Sequence, residues 1–72
     1  MEKSRIYIKE NKSTGEWQRI TALSNNNGIT IYNYYDGKNE NAKKSTFNKY
    51  AMIAYLESIG IAKKYIKQVE NI

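Results

Sequence analysis

The chain contains no cysteine, no histidine and no proline. Without cysteine there is no disulfide and no thiolate metal site. Without histidine the commonest metal ligand and the commonest general base are both gone. No G-x-S-x-G motif, no phosphate-cradling glycine loop and no closely spaced carboxylate pair takes their place. Asp36-Gly37-Lys38-Asn39-Glu40 offers oxygen ligands but lacks the spacing of a calcium loop. The reading is therefore of a protein that is not an enzyme, with no catalytic residue, no metal and no cofactor. Long hydrophobic runs are also absent. No apolar segment follows Met1 and none is long enough to cross a bilayer, so a soluble, cytoplasmic protein with no membrane partner is expected.

At 72 residues the chain reads as one domain, residues 1–72, close to the size at which a single core barely sustains folding. Self-association into a homodimer would help. Charge is uneven. Residues 1–41 carry six basic and five acidic side chains, whereas residues 42–72 carry six lysines against Glu57 and Glu70. The basic balance of +5 attracts polyanions or an acidic protein surface, although a solvated lysine face explains any single lysine equally well.

Periodicity predicts strands first and helices after. Arg5-Ile6-Tyr7-Ile8-Lys9 alternates strictly, which places Ile6 and Ile8 on one face. The turn Asn11-Lys12-Ser13-Thr14-Gly15 leads into a second strand over 16–23, with Gln18, Ile20 and Ala22 on one side and Trp17, Arg19, Thr21 and Leu23 on the other. Ser24-Asn25-Asn26-Asn27-Gly28 is a strong turn signal. A third strand over 29–35 follows, with Ile29 and Ile31 assigned to the core and Tyr32 and Tyr34 to the opposite face. Residues 38–44 read as a polar connection. A helix over 46–59, capped by Ser45 or Thr46 and ended by Gly60, is apolar over most of its circumference and reads as the centre of the core. The last helix, 61–72, is amphipathic. The expected fold is α+β: a three-stranded antiparallel sheet followed by two C-terminal helices, β-β-β-α-α.

Two surfaces could bind nucleic acid. On the outward sheet face Arg5, Tyr7, Lys9, Trp17, Arg19, Tyr32 and Tyr34 would interleave rings with cations, a stacking platform with phosphate partners beside it. The strand-then-helix order, with Gly15-Glu16-Trp17, Gly37-Lys38 and Phe47, resembles the three-stranded arm-type DNA-binding domains of phage integrases. The second surface is the helix pair over residues 55–69, which resembles the helix-turn-helix of bacterial repressors. Gly60 sits at the turn, Ile59 and Ile61 flank it, and Ile66 and Val69 follow. Leu56 departs from that pattern, which has a small residue there. The resemblance implies that Lys63, Lys64 and Lys67 meet phosphate and that Gln68 reads adenine. Packing alone also puts tyrosine in strands, and a helical hairpin capped by glycine looks much the same. The leading expectation is a small DNA-binding accessory or regulatory protein of the phage or mobile-element type, acting on double- or single-stranded DNA. The alternative is a protein-binding module or inhibitor using the same aromatic face or a free strand edge.

Overall fold

A computed structural model describes residues 2–72. Four strands come first: β1 (Glu2–Asn11), β2 (Glu16–Ser24), β3 (Thr30–Lys38) and β4 (Asn41–Phe47). They form one antiparallel meander in the order β1-β2-β3-β4. Two helices follow, α1 (Lys49–Ser58) and α2 (Lys63–Glu70). Both pack on the same side of the sheet, α1 over β3 and β4 and α2 over β1. The result is a two-layer slab of 40 × 24 × 16 Å.

The α+β class with two C-terminal helices stands, but the sheet has four strands and not three. Residues 41–47, read as part of a polar connection, pair with β3 from Lys38↔Asn41 to Tyr32↔Phe47. Their charge concealed them. β4 is an edge strand that partly buries only Ser45 and Phe47, so it has no full apolar alternation to read. Asn39, at φ 56°, makes the tight turn before it.

The core lies between the layers: Ile6, Ile20, Ala22, Tyr32, Tyr34, Met52, Leu56, Ile66 and Val69. Ile20 enters it with Ile6 as expected. β3 has the opposite facing to the one predicted, since Tyr32 and Tyr34 are each 2% exposed whereas Ile29 and Ile31 are 57% and 38% exposed. The loop sets this parity. Asn25 Oδ1 accepts from the backbone N–H groups of Asn27 and Ile29, and Asn25 N–H donates to Ile29 O. Ile29 therefore belongs to a five-residue loop closed by Ser24↔Thr30, and Ala22 faces Tyr32 while Ile20 faces Tyr34. A one-residue slip would turn every side chain of the strand over. Packing agrees with the result, because each large ring lies across from a small neighbour: Ala22 opposite Tyr32 and Ser45 opposite Tyr34.

The first helix starts later than predicted. Ser45 and Thr46 belong to β4, and Asn48 is the cap, its Oδ1 accepting from Ala51 N–H at 2.8 Å. The helix is covered on one side only. Met52 and Leu56 are buried, but Tyr50 is 83% exposed and Ala51 and Ala54 are also open. The centre of the core is the β2–β3 face, not this helix. Gly60, at φ 78°, ends α1 as predicted. Its N–H reaches Glu57 O and the Ile61 N–H reaches Leu56 O, the paired bonds of a left-handed glycine cap. At the other end of the helix pair, Lys49 Nζ donates to Glu70 O at 3.1 Å and to Ile72 O at 3.0 Å, pinning the end of α2. Among the described residues no helix is long and apolar enough to cross a membrane.

Candidate nucleic-acid interface

With both helices on one face, the described residues form no covering layer on the other face of the sheet. β2 supplies Trp17, Arg19, Thr21 and Leu23 to it, and pairing across the sheet brings one residue from each strand into line. Tyr7 pairs with Arg19, Arg19 with Tyr35 and Tyr35 with Lys44. Ring, cation, ring and cation thus alternate across all four strands. The adjacent row runs Arg5, Thr21, Asn33 and Thr46, and beyond it lie Leu23 and Ile31.

Arg19 is the centre of the site. Its guanidinium carbon lies 4.9 Å from the Trp17 ring centroid and 5.1 Å from that of Tyr35. The two rings are 6.2 Å apart with 28° between their planes. Cation–π attraction of this kind strengthens as water is removed. Arg19 Nε is buried with no hydrogen-bond partner, and among the described residues no carboxylate pairs with this arginine. Arg5, in contrast, is engaged: its guanidinium binds Glu2 at 3.0–3.1 Å and donates to Tyr7 Oη at 3.3 Å. That chain steadies the Tyr7 ring, which is 59% exposed.

Trp17 is held from the turn side. Its indole Nε1 donates to Asn39 O at 2.7 Å, and Asn39 N–H donates to Gly15 O at 2.7 Å. Gly37, the partner of Trp17 on β3, allows the close approach of β4, for a Cβ there would collide with the Asn41 carbonyl oxygen. Gly15, Trp17 and Gly37, which carried the resemblance to integrase arm domains, thus have a structural role. They clamp two hairpin tips together.

Of the sheet residues predicted for this face, Arg5, Tyr7, Trp17 and Arg19 are on it. Tyr32 and Tyr34 are not; they fill the core for the reason of register given above. Lys9 also leaves the face. A bulge between Tyr7 and Lys9 sets Ile8 and Lys9 together opposite Gln18, and Lys9 pairs with Glu16 at 3.3 Å. Tyr35, Lys44 and Asn33 were missed as members, and Thr21, read on the same side as Trp17 and Arg19, was not among the candidate binding residues. Their signal was the pairing arithmetic: once Ile20 faces Tyr34, Arg19 faces Tyr35.

The helix candidates Lys63, Lys64, Lys67 and Gln68 are all exposed, on the far side of the slab from the open sheet face. Each has company. Lys64 Nζ sits 4.9 Å over the Tyr65 ring and Gln68 Nε2 donates to Lys64 O at 3.3 Å. Lys63 and Lys67 line a shallow cleft together with Glu57, Ile66 and Glu70, so two carboxylates balance the two ammoniums. Leu56, where a repressor motif has a small residue, is fully buried beneath the helix junction. Among the described residues no group of histidine, cysteine or acidic side chains could hold a metal ion. No family model, no curated protein and no solved structure matches this chain.

Proposed function

We propose that the protein is a small, non-enzymatic nucleic-acid-binding accessory protein, with DNA as the leading ligand, which acts through the open face of its sheet. One observation carries the reading: the Arg19 guanidinium lies against both the Trp17 and the Tyr35 ring, and among the described residues no carboxylate neutralises it. A buried ion pair would account for an arginine structurally, whereas a fixed, uncompensated guanidinium beside rings is what a phosphate and a base both seek. Lys44 at the end of the same row adds a second cation. The helix face supports the function less well, because Lys63 and Lys67 share their cleft with Glu57 and Glu70.

Fluorescence anisotropy of labelled DNA over a salt series tests this. With Arg19 and Lys44 on phosphates, the logarithm of affinity should fall with log salt at a slope of about −1.5 to −2. Trp17 emission should change on binding. Two double variants with the same net charge locate the site: Arg19→Gln/Lys44→Gln should weaken binding far more than Lys63→Gln/Lys64→Gln. Equal weakening, or no binding at low salt, overturns the proposal. A protein partner is the second reading, favoured by the exposed Ile29 and Ile31 beside the polar rows.

A further inference from the structure

We propose that the ligand of this face is a single strand, with a base stacked on Tyr7 and a base edge read by Thr21 and Asn33. The inference rests on the reading of the sheet face as a nucleic-acid site and narrows it. The first argument is shape. Four strands spaced by about 4.8 Å put the outer two roughly 14 Å apart before side chains are added. A duplex major groove is about 12 Å wide and takes a helix or a two-stranded ribbon. The middle of the face is also low. Thr21 is 4% exposed and Asn33 1% exposed, so their row is recessed between the row of Tyr7, Arg19, Tyr35 and Lys44 and the pair Leu23 and Ile31, and it offers a trough rather than a ridge to the floor of a groove. A single strand asks for the reverse: a flat floor, rings with a free side, and cations at the flank.

The second argument is the chemistry of that floor. Thr21 and Asn33 are cross-strand partners, flanked by Arg5 on one side and Thr46 on the other. Thr21 Oγ1 is buried with no hydrogen-bond partner. Thr46 Oγ1 donates to Asn33 Oδ1 at 2.7 Å, which fixes the carboxamide and leaves its amide nitrogen as donor, with no partner among the described residues. A hydroxyl able to give or accept and an amide able to give are thus set side by side at the bottom of this trough, beneath the side chains of the neighbouring rows, which an incoming base has to part. Native proteins rarely leave such groups unsatisfied without a reason. Tyr7, one row away, is the most exposed ring of the sheet, and the Glu2–Arg5–Tyr7 chain holds it in place. An unpaired base stacked there leaves its neighbour free to present an edge to Thr21 and Asn33. A base within a duplex has its pairing edge already occupied.

The test uses the full chain with labelled oligothymidine, oligouridine, oligoadenosine and a hairpin duplex of similar length, at one fixed salt concentration. Single strands should bind at least tenfold more tightly than the duplex, and the preference between oligothymidine and oligouridine says whether the source is DNA or RNA. Tyr7→Leu should weaken single-strand binding by roughly 5- to 100-fold, the range of one stacked base. Tyr7→Phe keeps the ring and loses only the bond from Arg5, so it should bind more tightly than Tyr7→Leu. Thr21→Val keeps the shape. It should leave the melting temperature at or above wild type while changing the ratio of oligothymidine to oligoadenosine affinity at least threefold. Duplex bound as tightly as single strands would overturn this inference and leave the nucleic-acid reading standing. So would wild-type binding by Tyr7→Leu. An unchanged base preference in Thr21→Val removes the role of the polar floor. Binding of none of the probes removes both proposals together.

Discussion

Tyr34→Phe should make the protein more stable. Tyr34 is buried between the layers, its ring edge-on to Tyr55 at 5.3 Å, and its hydroxyl oxygen is sealed from solvent with no hydrogen-bond partner among the described residues. Such a group forfeits its hydration and recovers nothing, at a cost of about 1–3 kcal/mol. Phenylalanine retains the ring and drops the oxygen, giving up only a few contacts of about 0.1–0.2 kcal/mol each. The net gain should be about 1 kcal/mol. For a chain of 72 residues, an unfolding entropy near 2.1 cal/mol/K per residue totals about 0.15 kcal/mol/K, so Tm should rise by about 7 °C. Tyr32→Phe is the control. The Tyr32 hydroxyl does have an acceptor, Ile72 O at 3.4 Å, so its loss should leave Tm unchanged or lower. Thermal melts followed by circular dichroism at neutral pH decide the matter. A lower Tm for Tyr34→Phe, or equal shifts for the two variants, would refute the claim that the Tyr34 hydroxyl is unsatisfied.

The same residue predicts a dependence on alkali. Burial first, then the Asp36 carboxylate and Tyr55, push the Tyr34 phenol up to about 12 from an ordinary value near 10. The folded value lies above the unfolded one, so the neutral form is the one folding favours. The stability linked to this preference is complete below about pH 10 and is lost as pH rises toward 12. Tyr34→Phe has no such loss, and its advantage over wild type should widen across that interval. In a tyrosinate absorbance titration, wild type should show a step near pH 12 from Tyr34, and that step should be missing in the variant.

Two further changes probe the frame around the site. Gly37→Ala brings a methyl group against the Asn41 carbonyl of the neighbouring strand and should cost about 1–3 kcal/mol in urea denaturation, as overpacking does. It should also disturb Trp17 emission, and an unaltered midpoint would argue against the tight β3–β4 approach. Lys49→Met removes the ammonium that ties α1 to the carbonyls of Glu70 and Ile72 and should lower stability by about 1–2 kcal/mol. Amide exchange should then quicken in α2 before it quickens in the sheet, and uniform quickening would refute the local role.

What the sequence made legible depended on where charge marked a face. In β2, Trp17 and Leu23 argue for the opposite register, but Arg19 on their side favours burying Ile20 and Ala22, and the strand lies that way. In α2, the lysines separate from Ile66 and Val69 cleanly. β3 has no such marker on its first six residues, 30–35, where isoleucine, tyrosine, asparagine and threonine suit either side of a sheet. Its parity was decided elsewhere, by Asn25 drawing Ile29 into the loop. The error in α1 is of the same kind, since Tyr50, Ala51 and Ala54 are apolar enough to be buried and small or amphipathic enough not to be. The strand β4 was hidden for the opposite reason: Lys43 and Lys44 protect an edge and so mask it.

The aromatic–basic character of the open face nevertheless survives the reversal of β3, and the reason is specific. The run Tyr32, Asn33, Tyr34, Tyr35 puts rings on both parities, so turning the strand exchanges two tyrosines for one. With Tyr32 and Tyr34 outward, the face would have been a broad hydrophobic platform, equally suited to a protein partner. With Tyr35 outward and Asn33 beside it, it becomes a narrow row of alternating rings and cations bordering a polar floor. The loop around Asn25 therefore decides more than which side of a strand is buried. It sets whether Arg19 has a second ring to lie against, and the proposed function depends on that cation.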